Sequence, residues 1–138
     1  MSTTKKVLYT GKTHTTGGRL GASRSSDGNL DITLSPPGSS GKGTNPEQLF
    51  AAGWSACFLG AIGKAAGAKG LSLPADAAVD AEVDLCNTDG AFTLQARLNV
   101  SLPGMAPETA RALLETAHQT CPYSKMSRGN IAVEINLV

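Results

Sequence analysis

The stretch NPEQLFAAGWSACF, residues 45–58, predicts the helix around which the rest of the chain is organised. Asn45 is a favourable N-cap, because its side-chain oxygen can accept a hydrogen bond from an unpaired N–H of the first turn. Pro46 suits the first helical position, where no N–H donor is needed. Glu47 follows in the first turn, where the helix dipole stabilises a negative charge. The stretch therefore predicts a helix that begins at Pro46 and carries Cys57.

This helix is almost uncharged along its length. Residues 49–63 contain no Asp, Glu, Lys or Arg, and a helix that is apolar on every side is buried in a protein core or in a membrane. The run spans about 22 Å, which is short for a bilayer core of about 30 Å. We therefore predict a core helix without membrane association, ending among Gly63, Gly67 and Gly70.

The length of 138 residues predicts one domain, residues 1–138. The net charge is +1 and 17% of residues are charged, which gives no electrostatic case for binding nucleic acid or an anionic membrane. The N-terminal residues contain no apolar signal core, so we expect a cytoplasmic protein. The three cysteines are an odd number, which argues against a secreted disulfide framework. No CxxC or HExxH motif is present, so a structural zinc site is not expected.

Hydrophobic periodicity predicts an α+β fold. A loop rich in Pro, Gly and Ser, residues 35–44, leads into the central helix. The predicted order is three strands (residues 5–10, 19–23 and 30–34), the helix from Pro46, a hairpin of two strands (77–85 and 92–100), a second helix from Pro107 and a last strand (131–137).

The central helix needs apolar cover on all sides, and the remaining elements are few. Six short strands and one further helix are a small amount of structure to surround it. A second copy of the chain would supply the missing cover. We therefore predict an obligate homodimer in which the two central helices pack near each other inside the sheets.

The three cysteines have a structural and a redox interpretation. Free cysteine is among the most buried residue types, and Cys86, at the end of an alternating strand, fits a structural role. Cys57 could be structural for the same reason. Cys121 differs, because it lies at a helix end, before Pro122 and in a polar stretch. In the redox hypothesis Cys57 is oxidised to a sulfenic acid, and Cys121 moves to meet it and resolves it to a disulfide.

A reactive Cys57 needs a group that stabilises its thiolate, because burial raises the pKa of a thiol. Arg19 is the candidate cation, and Glu47 could hold it. Glu47 precedes Cys57 by ten residues, or about 15 Å of helix. If the two meet, either the Glu47 segment bends away from the helix or Glu47 comes from a second subunit. The alternative is an ordinary surface ion pair or a solvated helix cap.

Two further groups of residues have simpler interpretations. His118 lies near the end of the second helix, where the helix dipole favours a protonated imidazole. We expect its side chain either to gain from this dipole or to face solvent. Phe50, Trp54 and Phe58 are most simply core residues, although they could line a recess for an apolar substrate.

Several short motifs together carry a family resemblance, and each cysteine of the redox pair lies inside its own motif. The motifs are GGR at 17–19, SSDG at 25–28, TNPEQLFAAG at 44–53, SACF at 55–58, CPYS at 121–124 and RGN at 128–130. With these motifs the sequence resembles the organic hydroperoxide resistance branch of the OsmC/Ohr superfamily over nearly the whole chain. Trp54 stands where that resemblance leads us to expect tyrosine.

The resemblance implies an OsmC/Ohr-like α+β fold, with antiparallel sheets wrapped around central helices in an intertwined homodimer and active sites at the subunit interface. It implies that Cys57 is the peroxidatic cysteine, that Cys121 resolves it, and that Arg19 and Glu47 activate the thiolate. The implied activity is reduction of alkyl and fatty-acid hydroperoxides to alcohols. Electrons would come from dihydrolipoamide or a lipoylated protein, with no bound metal, haem or flavin.

Two other functions remain open from the residues. The first is a peroxidase of the OsmC branch, with similar chemistry. The second is a protein without turnover, either a thiol redox sensor or a binder of apolar ligands. An assay for multiple turnover distinguishes the sensor or binder from the peroxidase.

Overall fold

A computed structural model describes residues 4–138, and the chain divides into two compact units, one up to Pro46 and one from Glu47 to Val138. The predicted α+β class is confirmed, since residues 4–138 form two three-stranded sheets and three α-helices. The assignment of residues 1–138 to a single domain stays a prediction. Each unit is described below by itself.

The N-terminal unit is an antiparallel sheet of three short strands. In sequence order they are β1 (Thr13–Thr16), β2 (Ala22–Ser25) and β3 (Asp31–Thr33). A 3-10 turn, Gly18–Leu20, connects β1 to β2, and Gly17 before it has a φ of 73°, a conformation that glycine adopts without steric cost.

Two predictions for this unit were wrong in position. Residues 5–10 form no strand, and Val7, Leu8 and Tyr9 are exposed. Backbone pairing between the first two strands extends toward the N-terminus only as far as the bond from Ser26 N to Lys12 O. Within the described part of the chain, the β-prone residues 5–10 therefore have no strand beside them. The second strand begins at Ala22, three residues later than expected, because the 3-10 turn takes up the preceding segment.

The central helix, α1, runs from Pro46 to Ala68, as the sequence predicts. It ends at a left-handed glycine, Gly70, with φ 69°, and Leu71 N donates a hydrogen bond back to Ala66 O. By length and composition alone α1 could also cross a membrane. One side of it is instead buried in the C-terminal unit, through Trp54, Phe58, Ile62, Ala65 and Ala66, and the other side exposes Ala52, Ala56 and Gly60.

The C-terminal unit contains a longer sheet in the order β4-β5-β6. β4 (Ala78–Thr88) and β5 (Ala91–Ser101) form the predicted antiparallel hairpin, joined by Asp89 and Gly90, both with positive φ. β6 (Ala132–Leu137) pairs with β5 in parallel, unlike the antiparallel arrangement expected. A parallel partner requires a crossover connection, and a helical segment supplies it between β5 and β6.

Two helices form this crossover. α2 (Pro107–Thr120) is the helix predicted from Pro107, and its apolar face is buried. α3 (Pro122–Ser127) was not predicted. The buried cluster of the C-terminal unit is built from α1, β5, the loop that follows β5, α2 and Cys121. Its largest fully buried aromatic and aliphatic members are Trp54, Phe58, Ile62, Leu98, Leu113 and Val100.

An ion-pair network lies on the face of the β4-β5-β6 sheet opposite the buried cluster. The two terminal nitrogens of Arg97 each donate to Asp84 at 2.9 Å, and Arg97 Nε donates to Glu82 at 2.9 Å. The bond from Arg97 is the main reason that the pKa of Asp84 is lowered to about 2, with Gln95 as a further donor. These contacts join neighbouring strands on a surface that is open to solvent.

The Asp84 contacts predict a defined loss of stability in acid. A carboxyl whose pKa is lower in the folded state stabilises the fold above its unfolded pKa, about 4, and that contribution disappears as the pH falls to about 2. In Asp84→Asn the thermal midpoint should therefore fall less steeply between pH 4 and 2 than in the wild type. Asp80→Asn, on the same strand, is the matched control. Equal slopes in the wild type and Asp84→Asn would contradict the prediction.

Candidate active site

The structure brings Cys57 and Cys121 together. Cys57 lies in the middle of α1 and Cys121 at the junction of α2 and α3. Both are free thiols, and Cys121 Sγ donates a hydrogen bond to Cys57 Sγ at a sulfur–sulfur distance of 3.2 Å. A disulfide requires a distance of about 2.05 Å. The sulfurs therefore need to approach by only about 1.2 Å to form one.

Local backbone chemistry explains where Cys121 lies. It has an extended conformation, φ −63° and ψ 124°, as the following Pro122 predicts. Its N–H still donates to Ala117 O at 2.8 Å, so Cys121 terminates α2 and begins α3. The change of direction at this residue places its side chain toward Cys57.

The setting of Cys121 differs from the one expected. Its polar neighbours in sequence indicated an accessible residue that must move to meet its partner, but the side chain is 0% exposed, whereas Cys57 is half-buried. Because α3 packs on α1, it buries Cys121 beside Cys57 already in the reduced state. Cys86, the remaining cysteine, is half-buried in β4.

The surroundings of Cys57 act on its pKa in opposite directions. Burial raises the pKa of the Cys57 thiol, and the adjacent Cys121 thiol raises it as well. The backbone N–H of Tyr123 lowers this pKa, because it donates a hydrogen bond to the sulfur. The net direction is upward, so a reactive thiolate needs a further donor or cation.

Three aromatic side chains of α1 and α3, the helices that carry or adjoin the two cysteines, contact one another. The rings of Phe50 and Trp54 stack with centroids 5.2 Å apart, and the Tyr123 ring lies 6.0 Å from Phe50. Trp54 Nε1 donates to Ser124 Oγ at 3.2 Å, with both residues fully buried. The core role expected for Trp54 is confirmed. Tyr123 and Ser124 both belong to the CPYS motif, but the sequence alone predicts no individual role for either residue.

A groove opens beside Cys57. It has a volume of about 490 Å³ and is formed by the side of α1 that carries Cys57, together with the end of α2 and Pro122. Its lining is mainly apolar, with Lys64 as its one charged residue. An apolar molecule that enters this groove would lie against Cys57.

The two residues expected to activate Cys57 lie in different units. Arg19 is an exposed residue of the 3-10 turn in the N-terminal unit. Glu47 lies in the first turn of α1, which is helical without interruption from Pro46 through Cys57. The alternative in which the Glu47 segment bends out of the helix is therefore not observed. The pairing of Arg19 with Glu47, and their action on Cys57, stay predictions.

His118 does not have the environment expected from its helical position. Its side chain is half-buried, and its Nδ1 is buried without a hydrogen-bond partner among residues 4–138. Burial, and then the charge of Arg128, lower the pKa of His118, whereas a favourable helix dipole would raise it. The Arg128 guanidinium instead donates to His118 O at 2.7 Å.

Comparisons with known proteins agree on one family. Residues 39–136 match the family described as OsmC-like protein. The organic hydroperoxide resistance protein of Xanthomonas axonopodis pv. citri is 45% identical, with 99% of each chain covered. The organic hydroperoxide resistance protein OhrB of Bacillus subtilis is 40% identical, with 95% of this chain and 98% of that chain covered.

A solved structure gives the same result for the fold. The crystal structure of OhrB from Bacillus subtilis superposes with a TM-score of 0.90 at 39% identity, covering 96% of this chain and 100% of that chain. Sequence and fold thus agree along almost the whole length of the chain. The chain belongs to the OsmC-like family and, within it, to the organic hydroperoxide resistance branch.

Proposed function

We propose that this protein is a thiol-dependent peroxidase that reduces organic hydroperoxides to alcohols. The observation that carries the proposal is the 3.2 Å distance between Cys57 Sγ and Cys121 Sγ, both free. A resolving thiol at this distance can trap a sulfenic acid without rearrangement of the fold. The names of the relatives, which refer to resistance to organic hydroperoxides, support the same conclusion.

The reaction proceeds in three steps. The Cys57 thiolate attacks one peroxide oxygen of ROOH, and the O–O bond breaks to give Cys57 sulfenic acid and an alkoxide, which takes a proton and leaves as the alcohol. The Cys121 thiol then attacks the Cys57 sulfur, a disulfide forms, and water leaves. An external dithiol such as dihydrolipoamide, free or on a lipoylated protein, exchanges with this disulfide. It restores both thiols and is itself oxidised to a cyclic disulfide.

The groove beside Cys57 supports a preference for organic hydroperoxides. Its lining is mainly apolar, so an alkyl or acyl chain gains burial there that hydrogen peroxide cannot gain. Alkyl and fatty-acid hydroperoxides are therefore the proposed substrates. The groove would also suit a ligand-binding protein, but a binder has no need of a second thiol 3.2 Å from the first.

We also propose that the working form is a homodimer. The exposed face of α1 carries Ala52, Ala56 and Gly60, which permit close approach of another helix. The N-terminal segment exposes Val7, Leu8 and Tyr9, and the β4–β5 hairpin exposes Phe92. Apolar side chains in such number are typical of surfaces that a partner covers. Sedimentation of the wild type should give a dimer mass, and a monomer mass at all concentrations would refute the proposal.

A turnover assay with an organic hydroperoxide and dihydrolipoamide tests the function. The wild type should consume many equivalents of peroxide. After one equivalent without reductant, mass analysis under non-reducing conditions should show a bond between Cys57 and Cys121. A protein that is oxidised once and then stops, although dihydrolipoamide is present, would instead be a redox sensor. No reaction with any hydroperoxide would exclude the peroxidase.

Arg19 is proposed to keep Cys57 ionised, through a guanidinium that Glu47 orients. Arg19→Ala should therefore raise the Cys57 pKa, in the direction in which burial already moves it. Thiolate absorbance at 240 nm against pH measures this in a Cys86→Ser, Cys121→Ser background, where Cys57 is the one thiol left. Arg24→Ala, another exposed arginine of the same unit, is the control. A titration unchanged by Arg19→Ala would reject the role.

A further inference from the structure

Two hydrogen bonds between side chains join α1 to the segment that contains Cys121 and α3. One is the pair of sulfurs at 3.2 Å, and the other is the hydrogen bond from Trp54 Nε1 to Ser124 Oγ, also 3.2 Å. Trp54 precedes Cys57 by three residues, and Ser124 follows Cys121 by three. Three residues are close to one helical turn. The hydrogen bond therefore lies about one turn from the sulfur pair on both segments.

This hydrogen bond permits little movement of α3 along α1. Trp54 and Ser124 are both fully buried, so water does not replace either partner. The indole nitrogen is a donor only, and a buried donor without an acceptor is costly. A shift of α3 by even part of a turn would separate the two atoms. The bond thus favours one position of α3, the one in which Cys121 Sγ faces Cys57 Sγ.

Packing next to the hydrogen bond favours the same position. A Cβ atom added at Gly53 would lie 3.0 Å from Cε2 of the Tyr123 ring, so the absence of a side chain at residue 53 lets α3 approach α1 closely. The Tyr123 ring also lies 6.0 Å from the Phe50 ring. Tyr123 thus contacts α1 twice, through its ring and through its backbone N–H, which donates a hydrogen bond to Cys57.

We propose that Trp54 and Ser124 are positioning residues for the resolving reaction, and that their hydrogen bond decides how Cys57 sulfenic acid divides between two fates. This inference rests on the proposed function. In the first fate, the sulfenic acid and the Cys121 thiol give a disulfide and water. In the second, the sulfenic acid and another ROOH give sulfinic acid and an alcohol. The bond favours the first by keeping Cys121 Sγ beside Cys57.

The test compares two serine substitutions on α3. Ser124→Ala removes the acceptor of Trp54 and adds no bulk. Ser127→Ala is the matched control, because Ser127 is also buried and its hydroxyl bonds Ser124 O within the same helix. Each reduced protein receives a graded excess of cumene hydroperoxide without reductant, and mass spectrometry gives the ratio of sulfinic acid to disulfide.

We expect Ser124→Ala to raise this ratio about tenfold over the wild type, which matches loss of one buried hydrogen bond in the resolving step. Ser127→Ala should stay within about twofold. A ratio in Ser124→Ala within twofold of the wild type would overturn the inference, and so would an equal rise in both variants. A wild type that forms no Cys57–Cys121 disulfide would instead refute the proposed function.

A measurement on the wild type keeps the test valid if Ser124→Ala does not fold. Trp54 is the single tryptophan of the chain, so its indole N–H gives one unambiguous proton–nitrogen signal in NMR. We expect slow exchange of this proton with solvent and a change in its chemical shift when the disulfide forms. Fast exchange in the reduced protein would show that the hydrogen bond is not maintained and would overturn the inference.

Discussion

Cys57→Ser is expected to abolish the reduction of organic hydroperoxides, with a loss on the order of 10³-fold or more in kcat/KM. Serine keeps the size of the side chain, but its hydroxyl does not ionise near neutral pH and cannot accept oxygen from a peroxide to form a sulfenic acid. Coupled consumption of dihydrolipoamide measures the loss. Full multiple turnover in Cys57→Ser would eliminate the proposed mechanism.

Two further cysteine variants make this result specific. Cys121→Ser should still react with the first equivalent of hydroperoxide, because Cys57 remains, but it should turn over poorly and accumulate sulfinic acid at Cys57. Cys86→Ser should behave as the wild type, because Cys86 lies in β4, outside the groove that Cys57 lines. If Cys86→Ser lost as much activity as Cys121→Ser, the result would contradict the assignment of Cys121 as the resolving thiol.

Leu98→Ala is expected to lower the free energy of unfolding by about 2–5 kcal/mol. Leu98 is 0% exposed and lies on β5, the central strand, opposite Ala81 on β4 and Ile135 on β6. Truncation to alanine removes apolar burial and leaves a cavity that the strands on both sides cannot readily close. Urea unfolding at one fixed protein concentration gives the difference from the wild type.

An exposed leucine provides the comparison for Leu98. Leu20 is 75% exposed, so Leu20→Ala should change the free energy of unfolding by no more than about 0.5 kcal/mol. Equal losses in the two variants would mean that burial within this chain does not determine which leucines stabilise it. A partner subunit that covers Leu20 would be one physical reason, and the dependence of both midpoints on protein concentration would reveal it.

The elements that the sequence predicted well have strong local signals. α1 begins where Asn45 and Pro46 indicate and ends before the left-handed Gly70. The β4–β5 hairpin follows from nine alternating residues on each side of the turn at Asp89-Gly90, 77–85 and 92–100. The end of α2 at Cys121 follows from the restriction that Pro122 places on the residue before it. In each case a few neighbouring residues determine the backbone.

The features that were missed depend on contacts between distant residues. The segment 5–10 has the composition of a strand, but pairing needs a neighbour that composition does not reveal. The direction of β6 is set by the crossover through α2, not by its own alternation. α3 is too short to show a helical period. The 3.2 Å sulfur contact joins residues 64 positions apart and could be proposed only from chemistry.

If the protein works as the proposed peroxidase, the unequal exposure of Cys57 and Cys121 has a consequence for how their disulfide is reduced. Cys121 is enclosed on all sides, whereas Cys57 borders the groove. In the proposed recycling step, an incoming thiolate from solvent can therefore meet Cys57 but not the fully buried Cys121, and Cys121 leaves as the displaced thiolate. The mixed disulfide formed during recycling should therefore be found at Cys57, with the donor in the groove that the alcohol product has vacated.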